Sequence, residues 1–521
     1  MKIVLYQPQQ SNKAVTGQSS YDMLPLEMIH VAGWPVKDGH DVVLVDGSLY
    51  DQEEAHDRVL AECDGASILG VTGILGWQVT DGYELAKKVR DRHPSVRRVI
   101  GGWFTSVKPE LHLQDGVFEI SVQGQGEVAF RELVEAIATG SDLEEISGLC
   151  LWRDNALHTT AHRSVVGWAE MTEPAWDLID FRPYREGQLR AQSPNDFLRM
   201  ASPPWIGKKK PYVGITYFSS FGCPEPCTFC CSPLVTDRRW KAIEADRVLD
   251  DLEMLHDRWG GYDVVRFHDA NFGVNQKRTR AFAEGMLSRG LEKKFGWNAF
   301  LETYSINNYD PETLDACAAS GYYIAEVGAE TGDQETMDSI GKPIKGEDNY
   351  EAIVKLYQRG IRSSVTFIIG MPGESESSML KTLDQARRIQ YSCPNSSVHV
   401  FPFRPIPGTP LYDESIKLGF EEPTDIHDWG DIGQYHLHQT WNIIPEPVLK
   451  KLSRLNHYGS VYKGVARKRN GLFEAAAKWR MKTGNWSLPI DAKMFGIVND
   501  IENKLFPENK INKDMFDEAI G

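Results

Sequence analysis

Short apolar runs alternate with amphipathic stretches along most of the chain, a pattern typical of parallel sheets with helices between the strands. The first part contains five runs that are predicted to be strands: 2–6, 41–45, 66–71, 98–100 and 118–122. Helical patterns fill the gaps between these runs. Residues 1–144 are therefore predicted to form an open sheet with helices on both faces, and its ligands are expected at the carboxyl ends of the strands.

The same alternation returns in residues 206–430, now with a full amphipathic helix after each strand. Six apolar runs are predicted to be strands: 213–217, 263–267, 296–301, 323–327, 364–369 and 397–401. Six strands with intervening helices predict a partial (β/α)6 barrel of the TIM type, in which chemistry lies at the carboxyl ends of the strands.

The remaining segments have patterns of their own. Residues 145–205 are predicted to be a connector that contains a β-hairpin, with its turn at Arg153-Asp154-Asn155. Residues 431–521 change to a helical pattern with many aromatic side chains, among them Tyr435 and Trp441. We interpret this end as a helical C-terminal domain.

Glycine-rich loops follow three strands of the first predicted sheet. They contain Thr72-Gly73, Gly101-Gly102 and the turn from Gly124 to Glu127. Glycines let a large flat ligand approach the backbone closely. The last turn lacks the complete G-x-G-x-x-G pattern, so a dinucleotide site is only weakly indicated.

Composition and charge narrow the range of partners. The 521 residues are 41% hydrophobic and 25% charged, as in ordinary globular proteins, and there is no apolar stretch of 18 residues. The net charge is −16, and the longest basic run is 208–210. We therefore expect a cytoplasmic protein without nucleic-acid or membrane partners, acting on a small-molecule or carrier-bound substrate.

A short loop contains the densest chemistry of the chain. Cys223, Cys227 and Cys230 form a C-x3-C-x2-C array in which prolines and a glycine disfavour regular structure. Three thiolates can bind one face of an iron–sulfur cube and leave the fourth iron open. The alternatives are a zinc site and a chance grouping; zinc needs a fourth ligand, and Cys231 is too close in sequence to supply it easily.

The cysteine spacing resembles the signature of the radical S-adenosylmethionine (SAM) enzymes, and Phe229 matches the aromatic residue usual in that family. In the family, the open iron binds SAM, and the reduced [4Fe-4S] cluster cleaves it to a 5'-deoxyadenosyl radical. The resemblance implies that Cys223, Cys227 and Cys230 are the cluster ligands. Cys231 either neighbours the cluster or packs beneath the loop.

The same resemblance implies SAM contacts at the ends of later strands. Asp269 and Asn271, in place of the family's Gly-Gly-Glu, would contact the amino group, and Glu330 the ribose or methionine moiety. Gly370 and Glu374 would contact the adenine or ribose region. Alternatively, Gly370 is a plain turn glycine and Glu374 a first-turn carboxylate favoured by the helix dipole.

The glycine-rich loops of the first sheet resemble the Rossmann-like cobalamin-binding domain that precedes many radical SAM domains. The resemblance rests on Thr72-Gly73-Ile74, on Gly101-Gly102 after the intervening residues 75–100, and on the Gly-Gln-Gly-Glu127 turn. The cobalamin contacts that it implies are Thr72, Gly73, Leu75, Trp77, Gly101, Gly102, Trp103, Gly124, Gly126 and Glu127.

One departure concerns the cobalt ligand. Cobalamin carriers of the methionine-synthase type place a cobalt-ligating histidine in the loop after the first strand, whereas this chain has Pro8-Gln9-Gln10-Ser11 there. We expect cobalamin to bind without histidine ligation, with Leu75 or Trp77 covering the lower cobalt face. An ordinary core role for Trp77 is the alternative.

Taken together, the chain resembles the cobalamin-dependent, class B, radical SAM enzymes. The resemblance implies a methyltransferase in which one SAM methylates cobalamin, a second yields the radical, and the substrate radical takes the methyl group from methylcobalamin. An electron donor such as flavodoxin or ferredoxin is implied. The alternatives are an oxidative cyclase or rearrangement enzyme like the porphyrin-ester cyclases, and a non-enzymatic cobalamin or redox sensor.

Overall fold

The computed structural model describes residues 1–11, 23–190, 212–432, 443–463, 471–487 and 490–491. Part of the predicted connector, 191–205, lies outside these residues, as do Tyr435 and Trp441 of the C-terminal segment. No helix in the described ranges has both the length and the apolar character needed to cross a membrane.

The first sheet has the order β2-β1-β3-β4-β5-β6-β7, and its first five strands are parallel. These strands are β1 (Lys2–Gln7), β2 (Asp41–Asp46), β3 (Ile68–Thr72), β4 (Arg97–Gly101) and β5 (Ile120–Val122). The helices between and after them are α1 (Leu26–Lys37), α2 (Gln52–Glu62), α3 (Trp77–Arg92), α4 (Trp103–Val107), α5 (Pro109–Leu113) and α6 (Gly126–Thr139). This is the open α/β sheet that the alternation predicts.

The predicted hairpin is present and extends this sheet. Its strands are β6 (Leu149–Arg153) and β7 (Ala156–Thr159), and β6 pairs antiparallel with β5. Asp154 and Asn155 have φ of 52° and 61°, as a two-residue type I′ turn requires, and Asx residues tolerate this region well. The segment that the sequence assigns to a connector therefore supplies two strands to the sheet.

Apolar side chains cover both faces of the first sheet. One face packs Leu69, Val71 and Phe118 with Leu85 of α3, and the other packs Leu5 with Phe130 of α6 and its neighbours. Strand β3 is buried along its whole length. Burial on both faces explains why the strands are nearly continuous apolar runs rather than alternating ones.

A buried carboxylate fixes the loop after β1. Asp81 of α3, which has 0% exposure, accepts hydrogen bonds from Tyr6 Oη at 2.7 Å and from the backbone nitrogen of Gln9 at 2.9 Å. Gln52 Nε2 and His56 Nε2 also lie within 2.8 and 2.9 Å of it. Because each lone pair of this buried group has a partner, the loop at Pro8-Gln9 is held in one conformation.

The second sheet has six strands in the order β15-β14-β13-β12-β11-β8, as the predicted partial barrel requires. They are β8 (Gly214–Tyr217), β11 (Val264–Phe267), β12 (Gly296–Phe300), β13 (Tyr322–Glu330), β14 (Arg362–Ile369) and β15 (Ser397–Pro402). A two-stranded ribbon, β9 (Ser220–Phe221) with β10 (Lys241–Ala242), brackets the cysteine loop. The described residues thus confirm the predicted α/β class with its two parallel sheets.

The remaining helices follow the strands of the second sheet or the connector. They are α7 (Arg182–Arg190), α8 (Ser232–Val235), α9 (Ala245–Arg258), α10 (Gln276–Ser288), α11 (Thr303–Asn308), α12 (Pro311–Ala319), α13 (Gln334–Ser339), α14 (Asp348–Gln358), α15 (Glu376–Ser392), α16 (Pro410–Lys417), α17 (Ile426–Ile432), α18 (Glu446–Tyr462) and α19 (Gly471–Thr483). The described part of the C-terminal segment is helical, as its pattern predicts.

The chain divides into two units. The first comprises Met1–Phe300, Ala319–Gly321 and Ile406–Gln434, and so contains the first sheet, the cysteine loop and strands β8, β11 and β12. The second comprises Leu301–Ala318, Tyr322–Pro405 and Tyr435–Gly521, and contains β13, β14 and β15. The sites in each unit are described separately below.

Candidate functional site

A cavity of about 340 Å³ lies within the first unit. Part of its wall comes from the loops at the carboxyl ends of β3 and β4, through Thr72, Gly101 and Gly102. Another part comes from the cysteine loop, through Gly222 and Cys231. The loops at Thr72 and Gly101-Gly102, which are more than 100 residues from the cysteine loop, therefore face one common space with it.

Close backbone packing shapes the glycine-rich side of the cavity. The backbone nitrogen of Gly73 donates to the carbonyl of Gly101 at 2.8 Å, which joins the two loops. Gly102 has φ of +107°, and a Cβ there would lie 2.5 Å from the carbonyl oxygen of Gly73. Only glycine fits this position without strain. The resulting surface of bare backbone fits a large flat ring such as a corrin.

Most of the predicted cobalamin contacts line the cavity. These are Thr72, Gly101, Gly102, Trp103, Gly124, Gly126 and Glu127. Gly73, Leu75 and Trp77 are not among the lining residues, whereas Ile74 is. Leu75 packs in an apolar cluster with Val79, Phe104 and Trp429, and Trp77 begins α3. The structure therefore places neither predicted cover of the lower cobalt face in the cavity wall.

The lining residues that were not predicted from the sequence include four with polar or aromatic side chains, Glu27, His30, Trp168 and His268. The ring of His30 lies edge-on to Trp168, with ring centroids 5.7 Å apart, and Phe218 lies between His30 and His268. Burial lowers the pKa of His30 to about 4 and that of His268 to about 3, so both imidazoles are neutral at pH 7. On a single sequence, a histidine on the buried face of α1 resembles an ordinary core residue.

The cysteine loop is held by its own backbone. Gly222 has φ of +83°, and a Cβ there would collide with the carbonyl oxygen of Arg239. Cys223 and Cys227 are buried, while Cys230 is half-buried. The backbone nitrogen of Cys230 donates to the Cys227 carbonyl at 3.3 Å. That of Ser232 lies 3.4 Å from Cys230 Sγ, a contact that would stabilise a thiolate there.

The donor set of this loop fits an iron–sulfur cube. Three soft thiols on one short loop suit iron–sulfur chemistry, and each thiolate of a cube binds a different iron. Within the described ranges, no three Cys, His, Asp or Glu side chains are gathered as ligands of a single metal ion. A hydrogen bond with Cys230, together with burial, raises the pKa of Cys231, which favours its neutral thiol.

Asp269 and Asn271, the predicted contacts to the SAM amino group, are engaged with the protein. Asp269 is buried and accepts hydrogen bonds from Ser219 N at 2.7 Å and from the hydroxyls of Ser219 and Ser220, both at 2.6 Å. Asn271 Oδ1 caps a turn by accepting from Gly273 N at 3.0 Å. Asp269 therefore ties the end of β11 to the strand end that leads into the cysteine loop, whereas Asn271 fixes the turn after β11.

Glu330, in the second unit, belongs to a buried ionic cluster. Lys342 Nζ donates to Glu302 Oε2 at 2.7 Å, to Glu330 Oε1 at 3.0 Å and to the Gly328 carbonyl at 2.9 Å. Glu330 is one of few described non-glycine residues with positive φ, at 57°. Burial raises its pKa, and the ammonium of Lys342 partly opposes that shift. The strand end is thus held by a lysine that no sequence motif singles out.

Gly370 and Glu374 form one turn at the end of β14. Glu374 Oε2 accepts hydrogen bonds from the backbone nitrogens of Gly370 at 2.7 Å and Met371 at 3.1 Å. Gly370 has φ of +79°, so the position favours glycine. Glu374 precedes α15, and burial raises its pKa. Both predicted residues are therefore parts of the turn itself.

Replacing Gly102 by alanine is expected to weaken cobalamin binding by at least about tenfold, because the new Cβ would collide with the Gly73 backbone and displace the Gly101-Gly102 loop, which lines the cavity. Equilibrium dialysis with cobalamin measures this. Gly116→Ala is the matched control, since Gly116 has φ of +69° but nothing within 4 Å of the added Cβ. Equal loss of affinity in both variants would show that general strain, not the cavity wall, is responsible.

Protein-family models match both parts of the chain that line the cavity, the glycine-rich loops and the cysteine loop. Residues 12–134 match the B12 binding domain, and residues 217–386 match the radical SAM superfamily. The first match covers the glycine-rich loops of the first sheet, and the second begins at the end of β8, just before the cysteine loop. The two predicted cofactor domains are therefore confirmed.

Two relatives illustrate the range of the family. The chain is 25% identical over 420 residues to an uncharacterized methyltransferase of Pyrococcus horikoshii, covering 80% of this chain and 83% of that protein. It is also 25% identical over 336 residues to the anaerobic magnesium-protoporphyrin IX monomethyl ester cyclase of Cereibacter sphaeroides, covering 64% of this chain and 50% of that protein.

Solved structures share the fold along nearly the whole chain. TsrM from Kitasatospora setae, with cobalamin and a [4Fe-4S] cluster bound, superposes with a TM-score of 0.64 at 16% identity, over 92% of this chain and 98% of that one. OxsB, with aqua-cobalamin and S-adenosylmethionine bound, superposes with a TM-score of 0.68 at 15% identity, over 97% of this chain and 75% of that one. The chain therefore contains a B12-binding domain followed by a radical SAM domain.

Proposed function

We propose that the protein is a cobalamin-dependent radical SAM methyltransferase that methylates an unactivated centre of a small-molecule or carrier-bound substrate. The observation that carries the proposal is the shared cavity. Its wall combines Gly101 and Gly102 of the B12-binding domain with Gly222 and Cys231 of the cysteine loop. A methyl carrier on one side and a radical source on the other could reach a single substrate in this space.

The chain's own residues have the task of holding and orienting these groups. In this proposal, Cys223, Cys227 and Cys230 hold a [4Fe-4S] cluster, and the loops at Thr72, Gly101 and Gly124 hold a corrin. The bound cofactors would supply a 5'-deoxyadenosyl radical from SAM and a transferable methyl group on cobalt. The largely apolar wall would exclude water from the radical, which protects it from side reactions.

Three residues of the second unit are proposed to contact SAM: Glu330, Gly370 and Glu374. Their support is their position at the ends of β13 and β14, where a barrel of this kind carries its chemistry. Lys342 would orient the Glu330 carboxylate. The cluster also needs reduction, so a flavodoxin or ferredoxin is proposed as the electron donor.

An anaerobic assay of the reconstituted protein with SAM, reductant and cobalamin tests the proposal, using candidate substrates and mass spectrometry. A methyltransferase forms S-adenosylhomocysteine and 5'-deoxyadenosine, and adds a CD3 group to the product when SAM carries a CD3 methyl. Failure to form S-adenosylhomocysteine under conditions that yield 5'-deoxyadenosine would overturn methyl transfer.

An oxidative cyclase is the second candidate, and the similarity to the cyclase of Cereibacter sphaeroides favours it. Such an enzyme would form 5'-deoxyadenosine without S-adenosylhomocysteine, and its product would lose hydrogen rather than gain a methyl group. The same mass-spectrometric assay therefore separates the two candidates.

A further inference from the structure

Two glutamates face the cavity from the first turns of two helices. Glu27 lies near the start of α1 and Glu127 near the start of α6, and both line the cavity. The two helices pack against each other. Glu127 is only 9% exposed.

These carboxyl groups lack a cationic partner. Among the described residues that line the cavity there is no Lys or Arg, and neither glutamate belongs to an ion pair described here. Burial raises the pKa of Glu127 to about 7 and also raises that of Glu27. A buried acceptor such as the Glu127 carboxylate needs a hydrogen-bond donor, and a neutral N–H group satisfies it without adding charge.

The periphery of a corrin offers such donors. Cobalamin carries acetamide and propionamide side chains around its ring, whereas less amidated corrinoids carry carboxylates at the same positions. A primary amide donates N–H to a glutamate carboxylate, but a carboxylate in its place would set two like charges together inside an apolar wall. The penalty is large where water is scarce.

We propose that Glu27 and Glu127 accept hydrogen bonds from peripheral carboxamides of the corrin, and that they thereby restrict the cavity to fully amidated corrinoids. The proposal rests on corrinoid binding in this cavity, as proposed above. It assigns selection among corrinoids to two residues of the B12-binding domain, of which Glu27 belongs to no sequence motif.

The test compares cobalamin with its b-, d- and e-monocarboxylic acids, in which one amide is hydrolysed. Anaerobic equilibrium dialysis of the full-length, cluster-reconstituted protein gives each dissociation constant. At pH 8.5, at least one of the acids is expected to bind about tenfold more weakly than cobalamin. At pH 6, the difference should shrink, because a protonated Glu127 can donate to the ligand carboxylate.

Other titrating groups on the wall do not confound this pH comparison. Glu27 changes charge in the same direction as Glu127. The lowered pKa values of His30 and His268 keep both rings neutral from pH 6 to 8.5. The raised pKa of Cys231 keeps its thiol protonated over that range.

The variants E27Q and E127Q are expected to bind a monocarboxylic acid more tightly than the wild type does, a result that misfolding would not produce. A glutamine amide can donate to a carboxylate, so the excluded acid is expected to bind about tenfold more tightly to the variant than to the wild type. E54Q changes an exposed first-turn glutamate of α2 and should leave the preference for cobalamin over the acids unchanged.

Equal affinity of the wild type for cobalamin and all three acids would overturn this inference without affecting the proposed function. If cobalamin itself does not bind, the inference fails together with its premise.

Discussion

Replacing Cys223 by alanine is expected to reduce 5'-deoxyadenosine formation by more than about a hundredfold, since loss of a group that merely supports a metal ligand already costs 10–100-fold. Cys223 is a buried thiol in the loop that the proposal assigns to the cluster. The same loss is expected for Cys227→Ala and Cys230→Ala. Iron content and the visible absorbance of the anaerobically reconstituted proteins give a readout besides activity.

Cys231→Ala is the matched control for this series. Cys231 is adjacent to Cys230 and lines the cavity, but it is not a cluster ligand in the proposed C-x3-C-x2-C assignment. Its replacement should leave iron content and cluster absorbance near those of the wild type. If Cys231→Ala loses the cluster while Cys230→Ala retains it, the assignment of the third ligand is wrong.

Replacing Lys342 by methionine is expected to lower the free energy of unfolding by about 3–5 kcal/mol, because it leaves two buried carboxylates without their cation. Lys342 is 5% exposed and bridges Glu302 and Glu330. SAM affinity should also fall by about tenfold if Glu330 contacts the ligand as proposed. Urea denaturation and equilibrium binding of SAM measure the two effects.

The pH dependence of this variant has a definite sign. Glu330 already has a raised pKa in the folded protein. Between its unfolded and folded pKa values, the native state therefore binds more protons than the unfolded state. Over that range, the free energy of unfolding falls as the pH rises. Removing the ammonium raises the folded pKa further. The deficit of Lys342→Met relative to the wild type should therefore shrink as the pH is lowered towards the ordinary glutamate range.

Two variants complete the Lys342 series. Lys342→Arg keeps the charge and should recover part of both losses. Lys381→Met removes an exposed lysine that also pairs with a carboxylate, Asp333, at 2.6 Å, and should change stability little, because solvent screens an exposed ion pair. If the Lys342→Met protein were as stable as the Lys381→Met protein, this would contradict the stabilising role assigned to the buried ionic cluster.

Local patterns were sufficient to predict the strands, the helices and the cysteine loop. Periodicity indicated the parallel strands of both sheets because central strands such as β3 are buried along their whole length, whereas the helices between them bury one face. The three thiols that are proposed to bind the cluster lie within eight residues of one another, so their proximity needs no tertiary information. The loops at Thr72 and Gly101 line the cavity because the carboxyl ends of neighbouring parallel strands meet at one edge.

Features that depend on distant contacts were not predictable in the same way. The hairpin β6–β7 joins the first sheet through pairing with β5, and no local signal specifies that partner. Glu27 and His268 reach the cavity from α1 and from the end of β11. Conversely, Leu75 lies in the right loop but points to an apolar cluster. Which side of a loop faces a ligand is set by packing, not by spacing.

The most direct test of the shared cavity is electron paramagnetic resonance of the protein loaded with both cob(II)alamin and the reduced cluster. If the glycine-rich loops and the cysteine loop hold their cofactors at one cavity, the two spins should couple. The spectrum of the doubly loaded protein would then differ from the sum of the two singly loaded ones. A spectrum that equals this sum, with both centres fully populated, would contradict the account.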